Sequence, residues 1–303
     1  MIELLKHTNI DFMGKRFYAL ALTVIVSVLG LVTIVQISRG TANLGIDFAG
    51  GTSVQIKFNE RVPLKDVREA LMNGGISDVE LQDLPGENKI LISTKKGEEN
   101  IGEISRNMIA ALSQKYSESS MVIDSTTEIG PKVGKKLRTD ALWAVIAAMV
   151  GILIYITIRF QFRFSVGATV ATFHDVLAVL GGFYLLGKEI NLIVVSALLM
   201  IAGYSLTDTV VVFDRIRENL RSRLKKSTVE VINESINEVL SRTIIVSLTT
   251  FFAAAALFAF GGEVIHDFAL AIMMGIIVGT YSSIFVASPI VLLMGKDRTM
   301  GKK

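Results

Sequence analysis

The chain has no cysteine and only three histidines in 303 residues, so neither a disulfide framework nor a thiolate metal site is available to it. His7, His174 and His266 stand far apart in sequence, and no metal-ligand or nucleophilic cluster forms around them. No cofactor is expected, and an enzyme is not the expected class. The phosphate-loop pattern is also missing: "GPKVGKK" at 130–136 is one residue short, and no Ser or Thr follows its lysine pair. A strong charge imbalance is lacking as well. The net charge is +3, with the basic residues set beside apolar runs, which suits a membrane surface rather than nucleic acid.

What the chain does have is apolar sequence in long blocks. Hydrophobic residues make up 51% of it, too many for an ordinary soluble domain. Six runs, near 17–37, 141–158, 164–187, 190–213, 244–262 and 268–294, match the roughly 20 residues that a helix needs to cross a hydrocarbon core of about 30 Å. The first has no small-residue cleavage pattern near Gln36 and is expected to stay as an anchor. Lys15, Arg16, Arg159, Arg163, the basic run from Arg215 to Lys226, Arg242 and Lys296 fall on one side of these runs, against Lys188 on the other. The positive-inside rule then expects both termini (1–16 and 295–303) and a loop at 214–243 in the cytoplasm, with 38–140 outside. The basic stretch "DRIRENLRSRLKKS" is most simply a surface helix on anionic membrane lipids, or a docking segment for a cytoplasmic partner.

Within 38–140 the periodicity changes. "SVQIKF" at 53–58 alternates as a half-buried strand, and "PLKDVREALMNGG" at 63–75 opens on proline and closes on a glycine pair, as a helix does. "DVELQDL" at 78–84 and "KILIST" at 89–94 read as strands joined through Pro85 and Gly86. A second helix over 99–117 and a last strand over 120–130 follow. The order β-α-β-β-α-β is that of a ferredoxin-like domain, so the expected protein is a six-helix membrane bundle carrying a small α+β domain between its first two helices.

The ionisable residues inside the runs are the functional candidates. Asp208 in "GYSLTDTVVVFDRIREN" lies within an apolar run, where a carboxylate costs about 2.5 to 3.5 kcal/mol. It is either a protonatable relay or a structural carboxylate satisfied by Thr207, Thr209 or another helix. His174 and Asp175 in "ATFHDVLAVLGG" fall near the middle of the third run. Adjacent helix positions point about 100° apart, so the two cannot both face one partner, and they are read either as a relay or as a polar clamp. Histidine suits a shuttle because its unperturbed pKa is about 6.5. Arg242 marks the end of the fifth run, either snorkelling to head groups or reaching inward to Asp208. Gly275 and Gly279 in "GIIVG" mark close helix contacts. Glu263, His266 and Asp267 fit a solvated outer loop, with proton entry as the alternative.

"GIDFAGGT" at 45–52, "FHDV" at 173–176, "GYSLTDTVVVFDRIREN" at 203–219, "LSRTIIVSLTT" at 240–250 and "FALAIMMGIIVGTYSSIFVASPI" at 268–290 resemble, in that order, the SecD/SecF family of bacterial protein-export membrane proteins, on its SecF side. The family belongs to the resistance–nodulation–division superfamily of proton-driven transporters. The resemblance implies a chain of the bacterial inner membrane that pairs with a SecD half beside the SecYEG channel and the YidC/YajC proteins. It would draw a translocating preprotein outward on the proton-motive force after the SecA step. It also implies proton-pathway roles for Asp208 and Arg242, and less directly for His174 and Asp175. An exporter of lipids or small molecules and a non-transporting assembly subunit are the competing readings.

Overall fold

The computed structural model describes residues 8–84, 88–95 and 102–295, in two compact units. The first comprises residues 1–42, 144–188 and 193–303, the second 43–143 and 189–192.

Among the described residues, six helices are long and apolar enough to cross a membrane. They are α1 (Arg16–Arg39), α5 (Pro131–Arg159), α6 (Phe162–Leu185), α7 (Leu192–Ser222), α8 (Thr228–Phe260) and the span Ile265–Leu293. That last span is α9 (Glu263–Ser282), a π turn over Ser283–Ala287 and α10 (Ser288–Leu293). Pro289 explains the interruption: it has no N–H to continue the α ladder, and the local π geometry absorbs the defect, with the Ser288 hydroxyl donating to the Ser283 carbonyl at 3.0 Å. Apolar content alone reads this segment as one continuous helix.

The segment expected as a loop at 214–243 is instead a helical hairpin. The charged residues that follow the apolar part of α7 pair with acids on α8 at the surface. Arg215 donates to Glu238, Asn219 donates to Ser235 and Glu238, and Arg223 and Lys226 both reach Glu234. Ser227 and Glu230 form a capping box that starts α8, satisfying two N–H groups reciprocally. The segment before α1 docks on the same hairpin. Asn233 accepts from the Phe12 and Met13 amides at 3.0 and 2.9 Å, and Asn237 both accepts from and donates to Ile10. Beside this contact Phe12, Met13, Phe164, Phe213, Ile216, Ile232 and Ile236 close a shared apolar core.

The second unit is a four-stranded antiparallel sheet in the order β2-β3-β1-β4, where β1 is Gly51–Phe58, β2 Glu80–Leu84, β3 Lys89–Thr94 and β4 Met121–Ile129. A short helix, α2 (Ile46–Ala49), leads into β1. α3 (Leu64–Asn73) connects β1 to β2, and α4 (Glu103–Ser113) precedes β4. The Pro85–Gly86 turn lies outside the described residues. Alternation along the strands sends Val54, Ile56, Phe58, Ile90 and Ile92 to one face, where they meet Val67 and Leu71 of α3 and Met108 and Leu112 of α4. Gly51 enters β1 at φ +144°, and a Cβ there would come 2.1 Å from the Thr94 carbonyl oxygen. Only glycine fits that conformation and that approach. The glycine pair in "FAGGT" therefore serves strand entry.

Leu112 is fully buried in this core, so Leu112→Ala should cost about 2–5 kcal/mol through lost burial and the cavity left behind. In the full chain this should appear as faster proteolysis within 43–143 at a fixed urea concentration, with unchanged cleavage of the helical unit.

Candidate functional site

Asp208 is buried on α7, where an ionised carboxylate surrounded only by aliphatic groups would be untenable. Its partner comes from another helix: the Ser247 hydroxyl on α8 donates to Asp208 Oδ2 at 3.2 Å, and Thr280 on α9 donates to Ser247 at 2.8 Å. Three helices thus contribute to a hydroxyl chain that ends on one carboxylate. Thr207 and Thr209, the neighbours considered from sequence, do not serve it. Each bonds a carbonyl one turn back on α7, Thr207 to Gly203 at 3.2 Å and Thr209 to Ser205 at 3.1 Å.

Asp175 on α6 is fully buried and forms a second node. Its Oδ2 accepts from Ser205 on α7 and from Ser282 on α9, the latter at 2.8 Å, and its Oδ1 lies 3.0 Å from His174 Nδ1. Adjacent helix residues have therefore found each other, while the carboxylate also clamps two further helices. His174 Nε2 is buried without a hydrogen-bond partner, and the ring lies 6.2 Å from that of Tyr281. Tyr281 in turn donates to the Ala19 carbonyl of α1 at 2.6 Å and contacts Thr23 at 3.2 Å.

The two nodes share α7 and α9, and the spacing between those helices is set by glycine. A Cβ on Gly275 would fall 2.4 Å from Ile201, and one on Gly279 would fall 3.0 Å from Ser205 Cβ. The close approach places Ser205 and Ser282 within reach of one carboxylate. Arg242 lies on α8, exposed, and makes no ion pair with Asp208. At the opposite end of the helices His266 and Asp267 belong to the start of α9 rather than to a loop. Asp267 accepts from Lys188 at 2.9 Å, and His266 stacks on Phe258 with ring centroids 4.0 Å apart. The side chain of Glu263 lies outside the described residues. Among the described residues no group of His, Asp and Glu has the arrangement of a metal site.

Ser205, Ser247, Thr280 and Ser282 are the contributors that sequence reading missed. Hydroxyl residues are common in these helices, and most bond their own backbone, as Thr172, Thr207 and Thr250 do. The signal that would have found the four is a hydroxyl facing a rare intramembrane acid across a helix contact.

Residues 108–297 match the family model described as "Protein export membrane protein SecD/SecF, C-terminal", and residues 42–60 match the "SecD/SecF GG Motif". The chain belongs to the SecD/SecF family. A protein translocase subunit SecF from Thermodesulfovibrio yellowstonii is 61% identical over 300 residues, covering 98% of each chain. One from Calditerrivibrio nitroreducens is 43% identical over 297 residues, covering 97% of each. A crystal structure of a Thermus SecDF, titled a translocon-associated membrane protein, superposes with a TM-score of 0.80 at 34% identity. The match covers 94% of this chain and 38% of the SecDF chain, so the present chain spans less than half of that longer SecD/SecF protein. The apolar helices and these relatives together make it a multi-pass membrane protein of the SecF side of the SecD/SecF family.

Asp175→Ala should strand the Ser205 and Ser282 hydroxyls and cost on the order of 2–4 kcal/mol, whereas Asp175→Asn should recover much of it because an amide oxygen still accepts. Thermal unfolding in detergent of both variants beside the native chain checks this ordering.

Proposed function

We propose that the chain is the SecF half of a proton-coupled translocase accessory in the bacterial inner membrane, a transport subunit rather than an enzyme. Paired with a SecD half beside SecYEG and YidC/YajC, it promotes preprotein movement after the SecA-driven step. Its six helices form one half of a resistance–nodulation–division type bundle, with both termini cytoplasmic. Its sheet unit, whose strand order and connections fit a ferredoxin-like sandwich, stands outside and handles the emerging polypeptide.

The observation that carries the reading is the placement of Asp208 of α7 at the end of a hydroxyl chain drawn from α8 and α9. A hydroxyl both donates and accepts, so the chain has two polarities. With Asp208 ionised, Thr280 donates to Ser247 and Ser247 donates to the carboxylate. With Asp208 protonated, the acid becomes a donor, and the chain either reverses or breaks. Protonation therefore changes which helices are tied to α7. The energy scale is adequate: one charge crossing 100 mV yields about 2.3 kcal/mol, enough to shift a two-state packing by a factor of roughly 50. Arg242 stands on α8 without closing an ion pair to Asp208. His174 and Asp175 supply the neighbouring clamp, with the histidine as a second carrier.

The test is gradient-dependent preprotein translocation in vesicles containing this chain and a SecD half at matched levels. Asp208→Asn should abolish the contribution of the gradient while leaving ATP-driven initiation intact. Ser247→Ala should reduce that contribution several-fold. Full gradient-dependent export by Asp208→Asn would favour a purely structural subunit.

A further inference from the structure

The link between α6 and α7 is not a free turn. Residues 189–192 belong to the sheet unit, although Lys188 before them belongs to the helical one. Ile190 forms a parallel bridge with Leu44: the Gly45 amide donates to the Ile190 carbonyl at 3.0 Å, and the Ile190 amide donates to the Asn43 carbonyl at 2.9 Å. The Leu192 amide donates to Asp47 Oδ2 at 3.0 Å. The strands approach so closely that a Cβ on Gly45 would come 2.9 Å from that of Asn191. The connection is thus stitched to the segment that enters β1 by three backbone donors, two of them on the connection itself.

Beside this stitch stands a charge cluster with one cation and two acids. Lys95 Nζ lies 3.1 Å from Glu189 Oε1 and 3.5 Å from Glu80 Oε2, and it donates to Asn43 Oδ1 at 2.7 Å. Lys95 thus stands between the Glu80 and Glu189 carboxyls, two acids to one cation. Among the described residues, the titratable and charged groups facing Glu189 are Glu80 from β2 and Lys95 from the end of β3. Asp47 of α2 is occupied by the Leu192 amide, and Lys188 is engaged with Asp267. With Glu189 protonated the cluster is neutral. With both acids ionised it carries a net negative charge and sets two carboxylates against each other.

We propose that Glu80, Glu189 and Lys95 form a proton-sensitive latch that holds the α6–α7 connection on the sheet unit, closed while Glu189 is protonated and loosened when it is ionised beside Glu80. Burial, followed by the neighbouring Glu80 carboxyl, raises Glu189 to about 7, with Lys95 pulling the other way. The closed form thus binds more protons than the released one. Its stability is greatest below the ordinary glutamate range and falls as pH rises through about 7. Neither a gradient nor a partner chain enters this argument, so it stands apart from the transport reading.

Hydrogen exchange of the full chain in lipid nanodiscs, read as protection relative to intrinsic rates, tests the latch. Between about pH 5 and pH 8.5 the Gly45, Ile190 and Leu192 amides of the native chain should lose about tenfold or more in protection. Glu189→Gln and Glu80→Gln each leave one acid opposite Lys95. Both should match the native chain at the acid end and keep their protection at the alkaline end. An unchanged pH response in both variants overturns the latch, as does a flat response in the native chain. Loss of protection at both pH values in Glu189→Gln overturns it too, since that would make the carboxyl a fixed structural group.

Discussion

A carboxylate buried among apolar helices must be given donors, and here those donors are serine hydroxyls from other helices. This requirement organises the helical unit. Asp175 is met by Ser205 and Ser282, and Asp208 by Ser247, so α6, α7, α8 and α9 are placed by polar geometry as much as by packing. The glycines of α9 follow from the same need, because hydroxyls are short and reach a carboxylate only where backbones run close together. Neutral donors leave each acid able to change its protonation state. A buried ion pair would instead hold the acid ionised, since a proton could bind only by leaving the cation uncompensated.

The extramembrane parts are held by different means. At one end of the helices the α7–α8 hairpin is laced by arginine–glutamate and lysine–glutamate pairs, and two asparagines bind the segment that leads into α1. Exposed pairs of this kind contribute little each, and their worth here lies in keeping two helices continuous beyond the apolar stretch. The sheet unit has its own core on one face, and its entry is shaped by a glycine that no other residue replaces. The α6–α7 connection joins that unit through backbone hydrogen bonds, so the chain passes from helix to sheet unit and back within four residues.

Much of this was legible in the sequence, for identifiable reasons. Apolar blocks disclosed six spans, and strand alternation with turn residues located β3 at 89–94 to the residue. Span ends were less legible, because hydropathy reports where apolar residues stop and not where a helix stops. α5 starts at Pro131, some ten residues ahead of its apolar run, and α7 and α8 continue as a charged hairpin. Asp175 and Asp208 stood out because acids are rare in such runs. Their partners did not, since a serine that bonds its own helix and one that crosses to a neighbour look identical in sequence. The acid cluster on Glu189 was equally hidden: Glu80 and Lys95 meet through the β2–β3 register, and Glu189 joins them from far along the chain beside the Leu44–Ile190 bridge.

The central claim is that Asp208 exchanges a proton while remaining within its hydroxyl chain. Infrared difference spectroscopy of the chain reconstituted with a SecD half, with and without an imposed proton gradient, addresses it most directly. The account predicts a carboxylic-acid carbonyl band that changes with the gradient, disappears in Asp208→Asn and shifts in frequency in Ser247→Ala. A gradient-dependent band that persists unchanged in Asp208→Asn, or no such band in the native protein, would contradict it.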